Sequence, residues 1–280
     1  MGRRCCSNLR WLCLAAMGSK TCILLEIGLL ALTVCVHLPL FAQAKTPAHP
    51  QEISVQVPFV GCASDGQVGP VKAPRGKSKV VSVAADVANR LAYYKAEQGP
   101  AVLAPRGWYC FCTYGSNGAA LYVSSRPINK EDLFSANWSG FVGPVVEIGE
   151  ESGDTSGRFG VARIIARVFP ARKEFVDKVM QEEIEPENEF PFGPYPSDKL
   201  KYKSKEAVEY QTPAETDGLG TGWRLRKNGT PISGVAILVG PTPDLVFLAV
   251  RLPTRQADLT PAIIHQVESD ARHPDSVTTR

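Results

Sequence analysis

The stretch GVAILVGPTPDLVFLAVRL, residues 234–252, decides the fold class. Gly234 to Val239 and Leu245 to Leu252 are near-continuous apolar runs, too short for buried helices and bounded by turn residues, which reads as strands. Gly240, Pro241, Thr242, Pro243 and Asp244 separate them. A link of that length makes an antiparallel hairpin. Apolar residues on both faces place the hairpin at the centre of a sheet that is covered on both sides.

Working outward, Ala207 to Thr212 reads as a further strand, followed by a glycine-rich loop through Gly222. Leu259 to Ala271 reads as a helix with Ile263, Ile264 and Val267 inward. Trp108 to Tyr114 and Ala119 to Ser125, joined by Gly115, Ser116, Asn117 and Gly118, form a second hairpin. Ile53, Val55 and Val57 alternate with polar partners as in a half-buried strand. Val80, Val81 and Val83 predict a short strand. Ala84 to Glu97 predicts a helix with Val87, Leu91 and Tyr94 on one stripe, ended by Gly99 and Pro100. Gly140 to Ile148 predicts a strand that bends at Gly143 and Pro144, and residues 149–157 an exposed loop. Two helices follow, Arg158 to Val168 and Arg172 to Glu183, divided by Pro170. Strands mixed with three or four helices and no regular βαβ alternation indicate α+β, with mostly antiparallel sheet. Residues 185–199, rich in proline and aromatics, connect residues 53–184 to residues 200–273, as two domains or as two halves of one. Residues 274–280 are a tail.

The compartment is read from the other end. Arg3, Arg4, Arg10 and Lys20 precede an apolar run from Cys22 to Phe41, and Ala42, Gln43 and Ala44 supply the small-x-small pattern of a signal-peptidase site. The mature chain is expected to begin at Lys45, with residues 45–52 as a proline-rich tether. The alternative is an uncleaved anchor through residues 22–41, long enough to span a bilayer. The whole chain holds 31 basic and 28 acidic residues; residues 1–44 carry four of the bases and one acid, leaving 27 of each. Such neutrality excludes a typical nucleic-acid binder.

Five of the eight cysteines fall in the leader, leaving Cys62, Cys110 and Cys112. Outside the cytoplasm two of these should pair. Cys110 and Cys112 share one strand face, so each can reach Cys62 but not the other without strain. Cys62 with Cys110 is the expected bridge and Cys62 with Cys112 the near alternative. Either closes a loop of nearly fifty residues.

Chemistry-bearing motifs are few. Gly153, Asp154, Thr155, Ser156 and Gly157 resemble the nucleophile loop of trypsin-like proteases, but the chain lacks a histidine in a suitable motif. The sharpest enzyme reading is a cysteine hydrolase with Cys112, or Cys110, activated by His265. The histidines at 49, 265 and 273 lack metal-ligand spacing, so no metal is expected. The glycines from Gly218 to Gly222 lack the lysine of a phosphate loop, and no cofactor is expected. Asp65, Arg106, Trp108 and Asp154 are the candidate binding residues, because aromatics beside charged groups can line a groove. Phe190 to Pro196 reads as a rigid segment packed on its own domain.

The segments Val57 to Gly66, Leu103 to Cys110 and Phe190 to Pro196, with Tyr210 to Pro213, resemble those of a family of exported bacterial proteins with no assigned activity. The resemblance implies bacterial export. It also implies that Cys112 is the unpaired thiol, because the family carries a small residue there. The expectation is an exported bacterial envelope protein, a non-catalytic binding or structural module for an unknown envelope ligand or protein. A secreted cysteine hydrolase and a membrane-anchored assembly factor are the alternatives. No nucleic-acid partner is expected, and membrane contact only through residues 22–41.

Overall fold

The computed structural model describes residues 53–272. The leader, the tether and the tail predicted above lie outside these residues. In chain order the strands are β1 (Ile53–Cys62), β2 (Ser64–Gly66), β3 (Ser78–Val83), β4 (Leu91–Ala96), β5 (Ala101–Pro105), β6 (Tyr109–Gly115), β7 (Gly118–Ser124), β8 (Val145–Glu151), β9 (Lys199–Tyr202), β10 (Ala207–Thr212), β11 (Ile232–Val239) and β12 (Asp244–Arg251). The helices are α1 (Ala85–Ala88), α2 (Lys130–Phe134), α3 (Arg158–Val168), α4 (Lys173–Met180) and α5 (Thr260–Arg272). This is an α+β fold.

The hairpin of residues 234–252 lies where its apolar faces require. An eight-stranded sheet runs β2-β6-β7-β8-β12-β11-β10-β9, antiparallel except for the β2–β6 pair. A four-stranded sheet runs β3-β1-β4-β5, with β1 and β4 parallel. Each face of the large sheet carries its own core. On one, Leu121, Val146, Ile148, Val235 and Leu248 meet the small sheet and α5. On the other, Phe247, Ala249, Ala236 and Val208 meet α3 and α4.

Two predicted elements differ from those observed. Residues 84–97 are not one helix: α1 is a single turn, and Leu91–Ala96 is a strand parallel to β1. Leu91, Ala92, Tyr93, Tyr94 and Ala96 are all buried, so this strand is apolar on both faces. The spacing of Val87, Leu91 and Tyr94 therefore imitated a helical stripe. The strand expected at 140–148 begins at Val145 and continues to Glu151, which moves Glu150 and Glu151 from the expected loop into the sheet.

Cys62 and Cys110 form a disulfide with their Cα atoms 5.4 Å apart, and Cys112 is the buried free thiol. No helix among the described residues is long and apolar enough to cross a membrane.

Candidate functional site

Helix α3 packs on β8 and β12, so the same sheet face stays open over β6 and β7, where Thr113, Gly118 and Ala120 are small. The result is a cleft of about 800 Å³. Its floor is the sheet; its walls are α3, the segment around Asn188–Tyr195, and the loop Leu219–Arg224. That volume is typical of small-molecule sites.

Strand alternation puts Glu147, Gly149 and Glu151 of β8 on this face. Glu147 stands opposite Tyr122 of β7 and Ala249 of β12; Glu151 stands opposite Gly118 and Leu245. Between them lies the indole of Trp223. A Cβ at Gly149 would fall 2.2 Å from Trp223 Cζ3, so the ring rests directly on that glycine. It also stacks on Phe247, Gly149's neighbour across the ladder, with centroids 4.9 Å apart.

Glu147 is 0 % exposed, and neither carboxylate oxygen has a hydrogen-bond partner. Burial pushes its pKa up to about 8, with the backbone and guanidinium of Arg224 pulling the other way. Glu147 is thus at the buried floor of the cleft, next to Arg224 and Tyr122, and not on the open surface. Burial likewise raises Glu151 to about 7, opposed by Arg163. Its carboxylate fits against α3 because Gly160 has no side chain: a Cβ there would meet Oε2 at 1.6 Å.

Three arginines line the cleft. Arg163 is paired with Glu185 and, at 3.7 Å, with Glu189. Arg167 stacks 4.0 Å over Tyr195 and donates to the Gly193 carbonyl. Arg224 lies 5.8 Å over Trp138. Arg167 and Arg224 are half-buried, and neither forms an ion pair among the described residues. Asp198 feels the charge of Arg167, but its oxygens already accept from Thr212 Oγ1 and the Leu219 amide.

The residues singled out from sequence sit elsewhere; none of the six lines the cleft. Asp65 is in β2, where its carboxylate accepts from the Gly66 amide. Arg106 is exposed at the turn before β6, and Trp108 packs at the edge of the small-sheet core. Asp154 is exposed just after β8. Cys112 donates to the Gln98 carbonyl at 3.1 Å; burial and then the charge of Glu150 push its thiol up to about 12, and His265 is not among the groups acting on it. His265 is on α5. Of the segment 190–196, Phe190 is buried while Pro191 and Tyr195 form cleft wall. A second hollow of about 550 Å³ on the other face holds Glu150 and Asp270, and Lys95 offsets the charge of both. Among the described residues no cluster of side chains is suited to a metal ion.

The sequence carries one oddity at the cleft, a carboxylate, Glu147, between Val146 and Ile148 in a stretch otherwise apolar, but nothing in it places that group against Trp223 and Arg224. Neither a protein-family model nor any curated protein or solved structure matches this chain.

Proposed function

We propose that this is an exported protein of the bacterial envelope, and that the cleft beside α3 binds a small ligand without performing chemistry on it. The leader pattern and the Cys62–Cys110 bridge support export. The observation that carries the binding reading is Trp223, laid on Gly149 between Glu147 and Glu151. Two carboxylates that share one bond-breaking step lie about 5 to 9.5 Å apart with the substrate between them. Here four strand residues separate the backbones by about 13 Å, and an indole fills the space between. Their spacing does not suit the pair to cleave a bound ligand together. A thiol raised to about 12 is protonated at neutral pH, so the cysteine hydrolase gains no support from Cys112.

Two measurements test this. The mass of the native N-terminus should show a chain beginning at Lys45 in the envelope fraction. A full-length cytosolic chain refutes export, and an intact leader in the membrane fraction favours the anchored assembly factor. Soluble fragments of envelope glycan and peptide, titrated while Trp223 emission is followed in a background with Trp108 and Trp138 replaced by phenylalanine, should perturb that emission without product formation. Turnover of any fragment by the mature protein overturns the non-catalytic reading.

A further inference from the structure

Binding sites show their ligand's charge by the groups they leave unneutralised. In this cleft Arg163 already has Glu185 and Glu189, whereas Arg167 and Arg224 lie over aromatic rings and form no salt bridge among the described residues, the nearby Glu147 and Asp198 both being raised by burial. Stacking orients a guanidinium while leaving edge N–H groups for a planar or tetrahedral anion; Arg167 spends one on the Gly193 carbonyl and Arg224 one on the Tyr122 phenol, which leaves the others for a ligand. The indole of Trp223 adds a flat apolar wall of the kind that packs against a sugar ring.

We propose that the ligand is an acidic sugar, its ring against Trp223 and its anionic group on Arg224 and Arg167. The proposal rests on the cleft being a binding site. Helix α3 and strand β8 bring the two arginines toward one end. From Gly160, which touches Glu151, Arg167 is about 10 Å along the helix, and Glu147, beside Arg224, is about 13 Å along the strand.

Glu147 acts here as a positioning residue, through Arg224. The other groups around it are Tyr122 on β7, Tyr210 on β10, Arg251 on β12 and Glu151 on its own strand. Both phenols are raised by burial and stay neutral. The two terminal nitrogens of Arg251 donate to the carbonyls of Phe141, Val142 and Arg226, and Glu151, four residues along the strand, answers to Arg163. Arg224 is thus the cation that an ionised Glu147 would neutralise. While the carboxyl is protonated, Arg224 keeps its charge for the ligand. As pH passes about 8, Glu147 ionises, Arg224 gains an internal counterion, and affinity for an anion falls.

Glucuronate, glucose and glucosamine share a ring and differ in charge, so their calorimetric titration against the mature protein at pH 6 and pH 9 tests the assignment. Glucuronate should bind about tenfold or more tightly than the other two at pH 6, a difference of about 1.4 kcal/mol. Its affinity should weaken severalfold at pH 9 in the native protein. Arg224→Gln should erase the preference for glucuronate; Arg167→Gln, at a half-buried position on α3, provides the same test if the first variant does not fold. Glu147→Gln should remove the part of the fall that sets in near pH 8, leaving only what Glu151 contributes near pH 7. Preference for glucosamine, or equal binding of glucose and glucuronate, overturns the acidic ligand and leaves the cleft a binding site. Binding to none of the three overturns the acidic-sugar assignment, and the Trp223 emission titration then decides whether the cleft binds anything.

Discussion

At the scale of the residue, Glu147 shows what an unpartnered carboxyl does in a dry place. Ionised, it would lose its hydration and gain only the pull of Arg224; protonated, it loses far less. Its pKa is therefore about 8 in the fold and near 4.3 in the unfolded chain. Below the unfolded value both states hold the proton and there is no penalty. Between the two values only the unfolded chain releases it, so stability falls as pH rises, by about 1.4 kcal/mol per unit at most. Above about 8 the loss is complete. Urea midpoints of the native protein and of Glu147→Gln, compared from pH 5 to pH 9, should diverge up to about pH 8 and then run parallel; a constant gap contradicts the assignment. Glu151, at about 7, adds the same trend over a shorter range. Arg251 presents the opposite case, a buried cation whose guanidinium donates to three backbone carbonyls. Burial lowers it to about 10. Arg251→Met should cost about 2 kcal/mol in chemical denaturation, because the Arg226 carbonyl loses its donor while those of Phe141 and Val142 keep the Arg226 amide and the Asn228 side chain, and the methionine still fills the space. Neither residue's role was readable in sequence. Arg251 passes as the end of an apolar run, and Glu147's burial depends on partners 25 and 102 positions away, Tyr122 and Ala249.

At the scale of the element, the cleft depends on which glycines sit under which side chains. Gly149→Ala places a methyl group inside the indole ring, between a sheet and Phe247 that cannot yield, so Trp223 must lift. About 1 to 3 kcal/mol of destabilisation and a red shift of Trp223 emission are expected. Gly160→Ala meets only the far end of Glu151, which can swing into the cleft, and alanine improves the helix by about 1 kcal/mol. Its midpoint should match or exceed that of the native protein; comparable losses for the two variants would mean that α3, and not the indole, sets the cleft. The elements legible in sequence were those with one clear period or clear boundaries. The helices α3, α4 and α5 follow the expected pattern because their buried residues keep a helical spacing, and the β11–β12 hairpin because turn residues bound its two continuous apolar runs. β4 escaped because burial on both faces erases alternation, and its tyrosines then fell at helical spacing. The cleft escaped for another reason: it is made where α3 ends its coverage of the sheet, a tertiary boundary that no local pattern encodes.

At the scale of the whole molecule, the large sheet divides two cores that do different work. The face toward α3 bears the cleft, whereas the face toward the small sheet bears the Cys62–Cys110 bridge, which ties the last residue of β1 to β6. That bridge spans 48 residues of chain, and closing such a loop stabilises by about 4 kcal/mol in the chain-entropy model. Its loss should therefore be felt unevenly. In the Cys62→Ser, Cys110→Ser double variant, amide exchange should accelerate first in β1 and β3, the strands farthest along the small sheet from the large one's centre, while β8 and β12 beneath the cleft remain protected until global unfolding. Cys112 provides an internal control, since its thiol is buried at 0 % exposure and raised to about 12. It should resist alkylation in both native and variant folds and react only when denaturant opens the common core. Early alkylation of Cys112 in the bridge-free variant would show that the small sheet and the β6–β7 hairpin open as one unit. Uniform loss of protection across both faces would show that the two cores are a single cooperative structure, with the bridge stabilising the cleft as much as the small sheet.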